Sequence, residues 1–291
     1  MSSQKETTVF RVKTRIKNWQ NNRNYKKNLK LEEIERKNLW FKKFLKDRGL
    51  EKYTKQLIAV KDWTIVIVHA LLLATICKTF FYENFKIPSG SMNPLLLNGD
   101  RVLVNKWYYG YSKFSFPFDL APIKERILSN RSPKRGDVVV FHTKFSEKNG
   151  IFYIKRIIGL PNDKIQIKKN QVYVNGKKMK YQKINTLESE SEFNHNNFAV
   201  TEYTENNDNK EYNILVSEDF YSIAGNTREY IVPEEHYFCM GDNRDNSHDS
   251  RFPDFGFIPF RNIVGKAERI FFSTANGRFN FDRIFKNIQA N

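Results

Sequence analysis

Cysteine is scarce in this 291-residue chain, which contains only Cys77 and Cys239. The two cysteines lie in distant apolar segments, so we expect no disulfide between them, and their number excludes a disulfide framework. The chain has no CxxC pair, and its five histidines are scattered without helical i, i+4 spacing. The sequence therefore predicts no metal site, and we expect no cofactor.

Acidic residues are scarce at the amino-terminal end. The chain has 49 Lys and Arg against 32 Asp and Glu, a net charge of +17. Residues 1–62 hold 18 basic and 7 acidic residues, a net charge of +11, whereas residues 185–235 hold 2 basic and 12 acidic residues, a net charge of −10. A basic chain can indicate nucleic-acid binding. Because the basic excess is concentrated at one end, we expect no nucleic-acid partner.

Long apolar runs are also scarce, and the one that stands out is WTIVIVHALLLATIC, residues 63–77. Extended to Tyr82 it has 20 residues, about 30 Å of helix, which matches one bilayer core. A buried helix of a soluble domain or a cleaved secretory signal could contain a similar run. The signal is disfavoured because 62 residues precede the run and no A-x-A-like site follows it. The sequence predicts one transmembrane helix over residues 63–82.

The charge of the flanking segments orients this helix. Basic flanks stay in the cytoplasm, so the sequence predicts a basic cytoplasmic segment over residues 1–62 and an extracytoplasmic domain over residues 83–291. The flank would be drawn to anionic membrane lipid. Within it, residues 31–53 have helical character and could lie on the membrane surface or continue into the spanning helix.

Short strand patterns dominate the chain after Tyr82. Six segments are rich in β-branched and aromatic residues and are bounded by turn residues: DRVLVNKWYYG, GDVVVFHTKF, FYIKRIIGLP, DKIQIKK, QVYVNGKKM and YIVPEEHYFCMG. Asn175 and Gly176 predict a hairpin turn. Residues 185–209 predict a long surface excursion, inside an inserted cap region of about residues 177–232. The predicted fold class is mainly β, a barrel-like or sandwich-like ectodomain.

The stretch KIPSGSMNP, residues 86–94, places two serines where the chain leaves the apolar run. Pro, Ser and Gly are ordinary turn residues. Ser89 or Ser91 could also be a nucleophile at a membrane exit, which would need a base. His142 lies in a strand pattern where alternation makes it a surface residue as often as not, and His248 lies in a polar cluster; neither is excluded.

Lys155 is another candidate base, because it is the first charge in the apolar strand GIFYIKRIIGLP. Periodicity alone favours a solvated lysine, since one of the adjacent residues Lys155 and Arg156 is expected to face outward. If Arg156 faces outward, Lys155 faces inward, and desolvation lowers its pKa. The polar run GDNRDNSHDSR, residues 241–251, fails the register of a calcium loop. It is better interpreted as a hydrogen-bonded turn that supports a site.

Five of these segments together resemble the conserved boxes of bacterial type I signal peptidases. They are PSGSM, the NGDRVLVNK just after it, RGDVVVF, YIKRIIGLP and GDNRDNSHDSR, in that family's order and behind a membrane anchor. Members of the family are membrane-anchored serine proteases that remove signal peptides from exported preproteins. With the anchor, the resemblance covers roughly residues 63–273.

The resemblance implies roles for individual residues. Ser91 would be the nucleophile, Lys155 the general base, and Ser89 the hydroxyl that completes an oxyanion hole with the backbone N–H of Ser91. Ser247 would help to orient the lysine. Four residues would form a supporting shell of ion pairs: Arg156, Asp242, Asp249 and Arg251. Eight would lie near shallow pockets for small residues at positions −1 and −3 of the cleavage site: Phe85, Ile87, Pro88, Met92, Leu96, Val140, Tyr153 and Ile154.

The resemblance also implies partners and a location. Secretory preproteins would be the substrates, the secretion translocon would lie nearby, and the chain would be a single-pass protein of the cytoplasmic membrane. Many relatives have two anchors, whereas this sequence shows one, and residues 1–62 lie outside the resemblance. Two alternatives stay open: a dyad protease specialised for a narrow substrate, and a membrane-tethered nucleic-acid- or ribosome-binding protein with an inactive ectodomain.

Overall fold

The computed structural model of the chain describes residues 2–49, 53–116, 123, 126–143, 151–190, 197–207, 210–217 and 223–289. Residues 1–73 and residues 74–291 form two compact units. Parts of the predicted cap region, including residues 191–196 and 208–209 of the predicted excursion, lie outside the described residues.

Two long helices occupy the amino-terminal part of the chain: α1, Ser2–Asp47, and α2, Thr54–Phe80. A turn ends α1, in which the N–H of Gly49 donates to the carbonyl of Lys46 at 3.0 Å. Gly49 has a φ of +69°, a left-handed conformation that glycine adopts at low cost at a helix end. The helix predicted over residues 31–53 lies within α1 as far as Asp47, but α1 begins much earlier, at Ser2, and ends before residue 53.

Within α2, Gln56–Phe80 is long and apolar enough to cross a membrane. Its large apolar side chains are exposed; Leu71 and Leu73, for example, are each 63% exposed. A buried helix of a soluble domain would hide such side chains, so the exposure fits a membrane span. The helix begins before the predicted residue 63 and ends at Phe80, two residues early, because Tyr82 already belongs to the first strand.

The described residues from 82 onward are mainly β, as predicted. Their fourteen strands are β1 Tyr82–Lys86, β2 Asp100–Asn105, β3 Val138–Thr143, β4 Ile151–Gly159, β5 Lys164–Lys168, β6 Gln171–Val174, β7 Lys177–Lys178, β8 Lys180–Glu190, β9 Asn197–Asn207, β10 Lys210–Ser217, β11 Tyr230–Ile231, β12 His236–Met240, β13 Ile258–Pro259 and β14 Ile263–Ser273. Asn175 and Gly176 form the predicted turn between β6 and β7, both with positive φ.

The strands form three sheets. A seven-stranded sheet has the order β1-β2-β14-β3-β4-β12-β13, a four-stranded sheet has the order β11-β5-β6-β7, and a three-stranded sheet has the order β10-β9-β8. The named strand pairs are antiparallel. We call the three-stranded sheet, β8 to β10, the cap sheet. It includes much of residues 185–209, so the described part of the predicted surface excursion consists largely of paired strands.

Both faces of the seven-stranded sheet are covered in its centre. In β3, Val138 and Val140 pack into one apolar cluster, whereas Val139 and Phe141 pack into another. Successive side chains of a strand point to opposite faces, so the two clusters lie on opposite sides of the sheet. The expectation that Lys155 or Arg156 faces outward was therefore wrong. Both are buried, at 2% and 0% exposure, because the neighbouring strand β4 has no solvent face there.

Candidate active site

Ser91 and Lys155 meet although 64 residues separate them. The Nζ of Lys155 donates a hydrogen bond to the Oγ of Ser91 over 2.6 Å. Lys155 lies in the middle of β4, paired with Val139 of β3, which fixes its backbone. Ser91 lies in the turn between β1 and β2, followed by the fully buried Met92. The contact joins a hydroxyl to an amine at a distance that allows proton transfer.

The environment of Lys155 favours its neutral form. Burial lowers its pKa from 10.5 to about 8, since an ammonium loses its hydration there. The charges of Asp249 and Asp242 act in the opposite direction and raise it, but desolvation is the larger effect. An amine with a pKa of about 8 is partly unprotonated near neutral pH and can accept a proton.

Ser89 lies on the exposed side of the same turn. Its Oγ is 3.4 Å from the Oγ of Ser91. Asn243 holds this turn from the other side: its backbone N–H donates to the carbonyl of Ser91 and its Nδ2 to the carbonyl of Gly90, each at 3.2 Å. The turn that carries both serines is thereby attached to the segment of residues 241–251.

A buried carboxylate organises the segment of residues 241–251. Asp249 accepts hydrogen bonds from Ser247 at 2.7 Å, from the backbone N–H of Gly241 at 3.0 Å, and from two nitrogens of Arg251 at 2.8 and 2.9 Å. Burial raises the pKa of Asp249, but Arg251 and these hydrogen bonds hold it below its ordinary value. Asp249 is therefore a fixed anion, close enough to Lys155 to raise the pKa of the lysine.

A second buried ion pair lies beside it. Arg156 donates to both oxygens of Asp242, at 2.8 and 2.7 Å, and to the carbonyl of Gly136 at 2.8 Å. Its guanidinium carbon is 3.8 Å from the ring centroid of Tyr212 in β10. Planar pairing and stacking of this kind suit arginine rather than lysine. Asp242 and Asp249 thus each pair with an arginine, an arrangement different from the calcium loop considered above.

The eight residues assigned to substrate pockets fall into several environments. Ile87, Met92, Leu96 and Val140 are buried in one apolar cluster, and Phe85 and Ile154 pack against it while partly exposed. Pro88 is exposed, and Tyr153 packs into the cluster on the opposite face of the sheet. The structure thus brings six of the eight together: five are close in sequence to Ser91 or Lys155, and Val140 pairs with Ile154 across β3 and β4.

The two histidines considered as bases lie in other surroundings. His142 is buried and stacks on Phe114 at a centroid distance of 4.1 Å, so it takes the inward one of the two positions that strand alternation left open. His248 is exposed, and its Nε2 is 3.0 Å from Asp254. Ser91 contacts Lys155 instead.

Two buried residues next to this site were not singled out from the sequence. Arg244 pairs with Glu205 of β9, and the two side chains are 3% and 0% exposed. Arg244 lies in the polar run GDNRDNSHDSR, and no role was assigned to this arginine when the run was interpreted as a supporting turn. Glu205 gave no signal, because it is one of several glutamates in a polar stretch and its partner is 39 residues away.

Comparisons with known proteins identify the family of the chain. The family model described as "Signal peptidase, peptidase S26" matches residues 60–272. The chain is 37% identical to the signal peptidase I of Rickettsia typhi (strain ATCC VR-144 / Wilmington) over 227 residues, 76% of this chain and 83% of that protein. It is 38% identical to the signal peptidase I of Rickettsia conorii (strain ATCC VR-613 / Malish 7) over 225 residues, 74% of this chain and 80% of that one.

Among solved structures, a signal peptidase I from Enterococcus faecalis V583 is 25% identical, with a TM-score of 0.26, and covers 47% of this chain and 97% of its own. The family assignment comes from the sequence matches. With residues 60–272 matched by the family model and relatives aligned over most of their length, the chain belongs to the signal peptidase family, peptidase S26.

Proposed function

We propose that this S26-family peptidase is a signal peptidase I that cleaves signal peptides from exported preproteins, with Ser91 as nucleophile and Lys155 as general base. The observation that carries the proposal is the 2.6 Å contact between Lys155 Nζ and Ser91 Oγ, at a lysine that is only 2% exposed. A solvated lysine would keep its proton near pH 7, whereas a desolvated one can act as a base.

The reaction has two halves. In the first, Lys155 takes the hydroxyl proton as the Oγ of Ser91 attacks the scissile carbonyl carbon. The tetrahedral intermediate collapses to an ester on Ser91, and the leaving amine takes the proton from Lys155. In the second half, Lys155 takes a proton from water and the hydroxide attacks the ester carbonyl. When this intermediate collapses, the ester C–O bond breaks, Lys155 returns the proton to the Oγ of Ser91, and the acyl product leaves as a carboxylic acid.

The oxyanion of each intermediate needs fixed donors. We assign this role to the hydroxyl of Ser89 and the backbone N–H of Ser91, which belong to one turn. The Oγ of Ser89 lies 3.4 Å from the attacking oxygen, in the region where the carbonyl oxygen of a substrate would develop charge. The supporting residues hold the surroundings: Ser247 and Arg251 through Asp249, and Arg156 through Asp242.

The substrate would bind along β1. In the described part of the chain β1 is the outermost strand of its sheet, so an extended peptide can add beside it and make main-chain hydrogen bonds. Phe85 and Ile154 stay partly exposed above a filled apolar cluster. A filled cluster suits small side chains at positions −3 and −1 better than large ones. We include Pro88 and Tyr153 among the substrate-binding residues on the family resemblance alone.

The location follows from the anchor. We propose that α2 crosses the cytoplasmic membrane once, with α1 inside, so that Ser91 lies just beyond the external surface, about eleven residues after the helix ends. A signal peptide held in the bilayer would then present its cleavage site at the depth of the serine. Anionic lipid would attract the basic α1 segment, and the translocon would supply preproteins.

The test is cleavage of purified preproteins by the full-length chain in detergent micelles. We expect cleavage after an Ala-x-Ala site, mapped by amino-terminal sequencing of the product. Ser91→Ala should abolish it, whereas Ser129→Ala, a change at an exposed serine away from the site, should not. Replacing the −1 alanine by leucine should block cleavage. Full activity of Ser91→Ala, or an indifference to the −1 residue, would contradict the proposal, and cleavage of one preprotein out of many would indicate a specialised enzyme.

A further inference from the structure

We propose that Glu205, in the cap sheet, is a positioning residue for the Ser91 and Lys155 centre and acts through Arg244. This inference rests on the proposed function, because it concerns the geometry of the same proton transfer. It gives the cap sheet a role in the chemistry.

The pair itself is fully enclosed. Arg244 donates to both carboxylate oxygens of Glu205, with 2.9 Å between Nη1 and Oε1, and it also donates to the hydroxyl of Tyr181 at 2.7 Å. Burial raises the pKa of Glu205, but the charge of Arg244 and these hydrogen bonds hold it below its ordinary value. Glu205 is therefore an anion that neutralises the charge of Arg244 away from solvent.

Arg244 connects this pair to the catalytic segment. Its Nε donates to the carbonyl of Gly241 at 3.2 Å, and its own backbone carbonyl accepts from Arg251 at 2.5 Å. Arg251 in turn holds Asp249, which accepts from the N–H of Gly241. The carbonyl of Gly241 is therefore held by Arg244, and its N–H is held by Asp249.

Gly241 has no freedom to shift without disturbing the nucleophile. A Cβ placed on it would lie 2.4 Å from the carbonyl oxygen of Ser91 and 2.3 Å from the Oγ of Ser247. Both distances are far below contact distance, so the backbone of residue 241 is in close contact with both serines. A displacement of this backbone by a fraction of an ångström would therefore move Ser91 relative to Lys155.

The cap sheet touches the segment at two more points. Leu215 of β10 donates to the carbonyl of Asp242 and accepts from the N–H of Arg244, each at 2.9 Å. Two residues on, the N–H of Ser217 donates to Asp245 at 2.6 Å. These contacts continue the strand pairing of the cap sheet into residues 242–245, so Glu205 belongs to a continuous hydrogen-bonded structure.

Without the charge on Glu205, the guanidinium of Arg244 would stay buried without the anion that now neutralises it. It would turn toward other acceptors and lose its hydrogen bond to the carbonyl of Gly241. Asp249, which is bonded to the N–H of Gly241, would then move away from Lys155. Because Asp249 raises the pKa of Lys155 and an unpaired cation lowers it, both effects shift the acid limb of the activity profile to lower pH. The displaced serine would also react more slowly, since about 1 Å of misplacement can cost about 100-fold.

The experiment measures kcat, KM and the pH profile of preprotein cleavage for the full-length chain in micelles. Glu205→Gln is compared with Asp163→Asn, which removes the charge from another buried ion pair, Arg135–Asp163, beyond the end of β4. We expect Glu205→Gln to lower kcat by roughly 10- to 100-fold with KM nearly unchanged. Its acid limb should move down by roughly half a pH unit, and that of Asp163→Asn should stay in place.

A double variant separates positioning from stability. Glu205→Leu with Arg244→Met replaces the pair by apolar side chains, which often restores stability. We expect its melting temperature to recover and its kcat to stay low, because the bond to Gly241 is still missing. If Glu205→Gln keeps the wild-type pH profile and kcat, or if the double variant regains full kcat, the inference is overturned. The double variant decides the matter if Glu205→Gln does not fold.

Failure of the inference can be told from failure of the proposed function. If Ser91→Ala remains active, the proposed function is wrong whatever Glu205 does. If Ser91→Ala is inactive and Glu205→Gln is indistinguishable from Asp163→Asn, only the positioning role is wrong.

Discussion

Lys155 and Arg156 are consecutive residues of β4, and both side chains are buried, on opposite faces of the sheet. Arg156 keeps its charge because Asp242 pairs with it at 2.7 Å. The Nζ of Lys155 contacts the neutral hydroxyl of Ser91, and burial lowers its pKa to about 8. One strand thus carries a permanent cation next to a lysine that can be neutral, a difference set by the partners of the two side chains.

The activity should follow the protonation of Lys155. We expect preprotein cleavage to rise with pH through an apparent pKa of about 8, since only the neutral amine takes the proton from Ser91. Lys155→Arg should fold, insert and be inactive, because a guanidinium stays protonated at these pH values. The exposed Lys164→Arg is the matched control and should retain full activity. A folded, active Lys155→Arg would remove the lysine from the mechanism.

Stability should improve when the lysine is removed. The pKa of Lys155 is lower in the folded chain, about 8, than its ordinary 10.5. The folded state is therefore most stable above pH 10.5, and it loses stability as the pH falls through 8. At pH 7, Lys155→Met should be more stable by about 1–3 kcal/mol, and the difference should vanish near pH 10.5. Urea unfolding in micelles at both pH values measures this, and a pH-independent difference would contradict it.

Ser89 should affect turnover more than binding. In Ser89→Ala we expect kcat to fall by about 100- to 1000-fold while KM changes little, because the hydroxyl is needed when the oxyanion forms. Steady-state cleavage of a preprotein gives both constants. Ser129→Ala serves as the control for loss of an exposed hydroxyl. An unchanged kcat in Ser89→Ala would show that other donors hold the oxyanion.

The ion pair of Arg156 should matter far more than surface pairs. Asp242→Asn leaves the buried guanidinium of Arg156 without its anion, because an amide is neutral and keeps only one accepting oxygen, and we expect this to destabilise the fold by about 3–5 kcal/mol. The exposed pair Lys37–Glu33 in α1 is the comparison, and Glu33→Gln should leave the stability nearly unchanged, because solvent screens an exposed ion pair. Urea midpoints of the two variants measure the contrast. Equal midpoints would mean that water or another group replaces Asp242.

Labelling can test the orientation of the anchor. A membrane-impermeant maleimide added to intact spheroplasts should label a cysteine at Lys177, an exposed residue of β7, and should not label one at Lys37 in α1. The native Cys239 is buried and Cys77 lies in α2, the proposed membrane span, so both should stay unlabelled. Labelling of Lys37→Cys without labelling of Lys177→Cys would contradict the proposed topology.

The sequence was most informative where local pattern and local structure coincide. The strands within the six named segments, the Asn175–Gly176 turn and the approximate span of α2 follow from periodicity, turn chemistry and apolar length, whereas β1, β14 and the cap sheet lie outside those segments. Ser91 and Lys155 were found together because segments of a known family surround them. Periodicity alone misjudged β4, since alternation assumes one wet face and this strand has none.

The residues that sequence reasoning missed depend on contacts between distant segments. Glu205 stands in a polar strand that could equally face solvent, and only the folding of β9 over residues 241–251 buries it against Arg244. Residues 185–209 were predicted as a long surface excursion because they are rich in Asn, Glu and Ser. Their strands form through main-chain pairing within the cap sheet and through contacts with the apolar residues of β5 and β6.

The contacts between β10 and residues 242–245 bear on how this enzyme can tolerate changes in length. The connection is made by main-chain bonds at Leu215 and Ser217 and by the side chains of Glu205 and Tyr212. These contacts extend along β10, from Tyr212, which pairs with Glu205, to Ser217, which pairs with Val200. Residues added between β8 and β9 would enter the chain beyond their last pair, Glu190 and Asn197, and so outside these contacts. Homologues can therefore be expected to vary in length there, while an insertion within residues 212–217 would shift every later residue of β10 out of register.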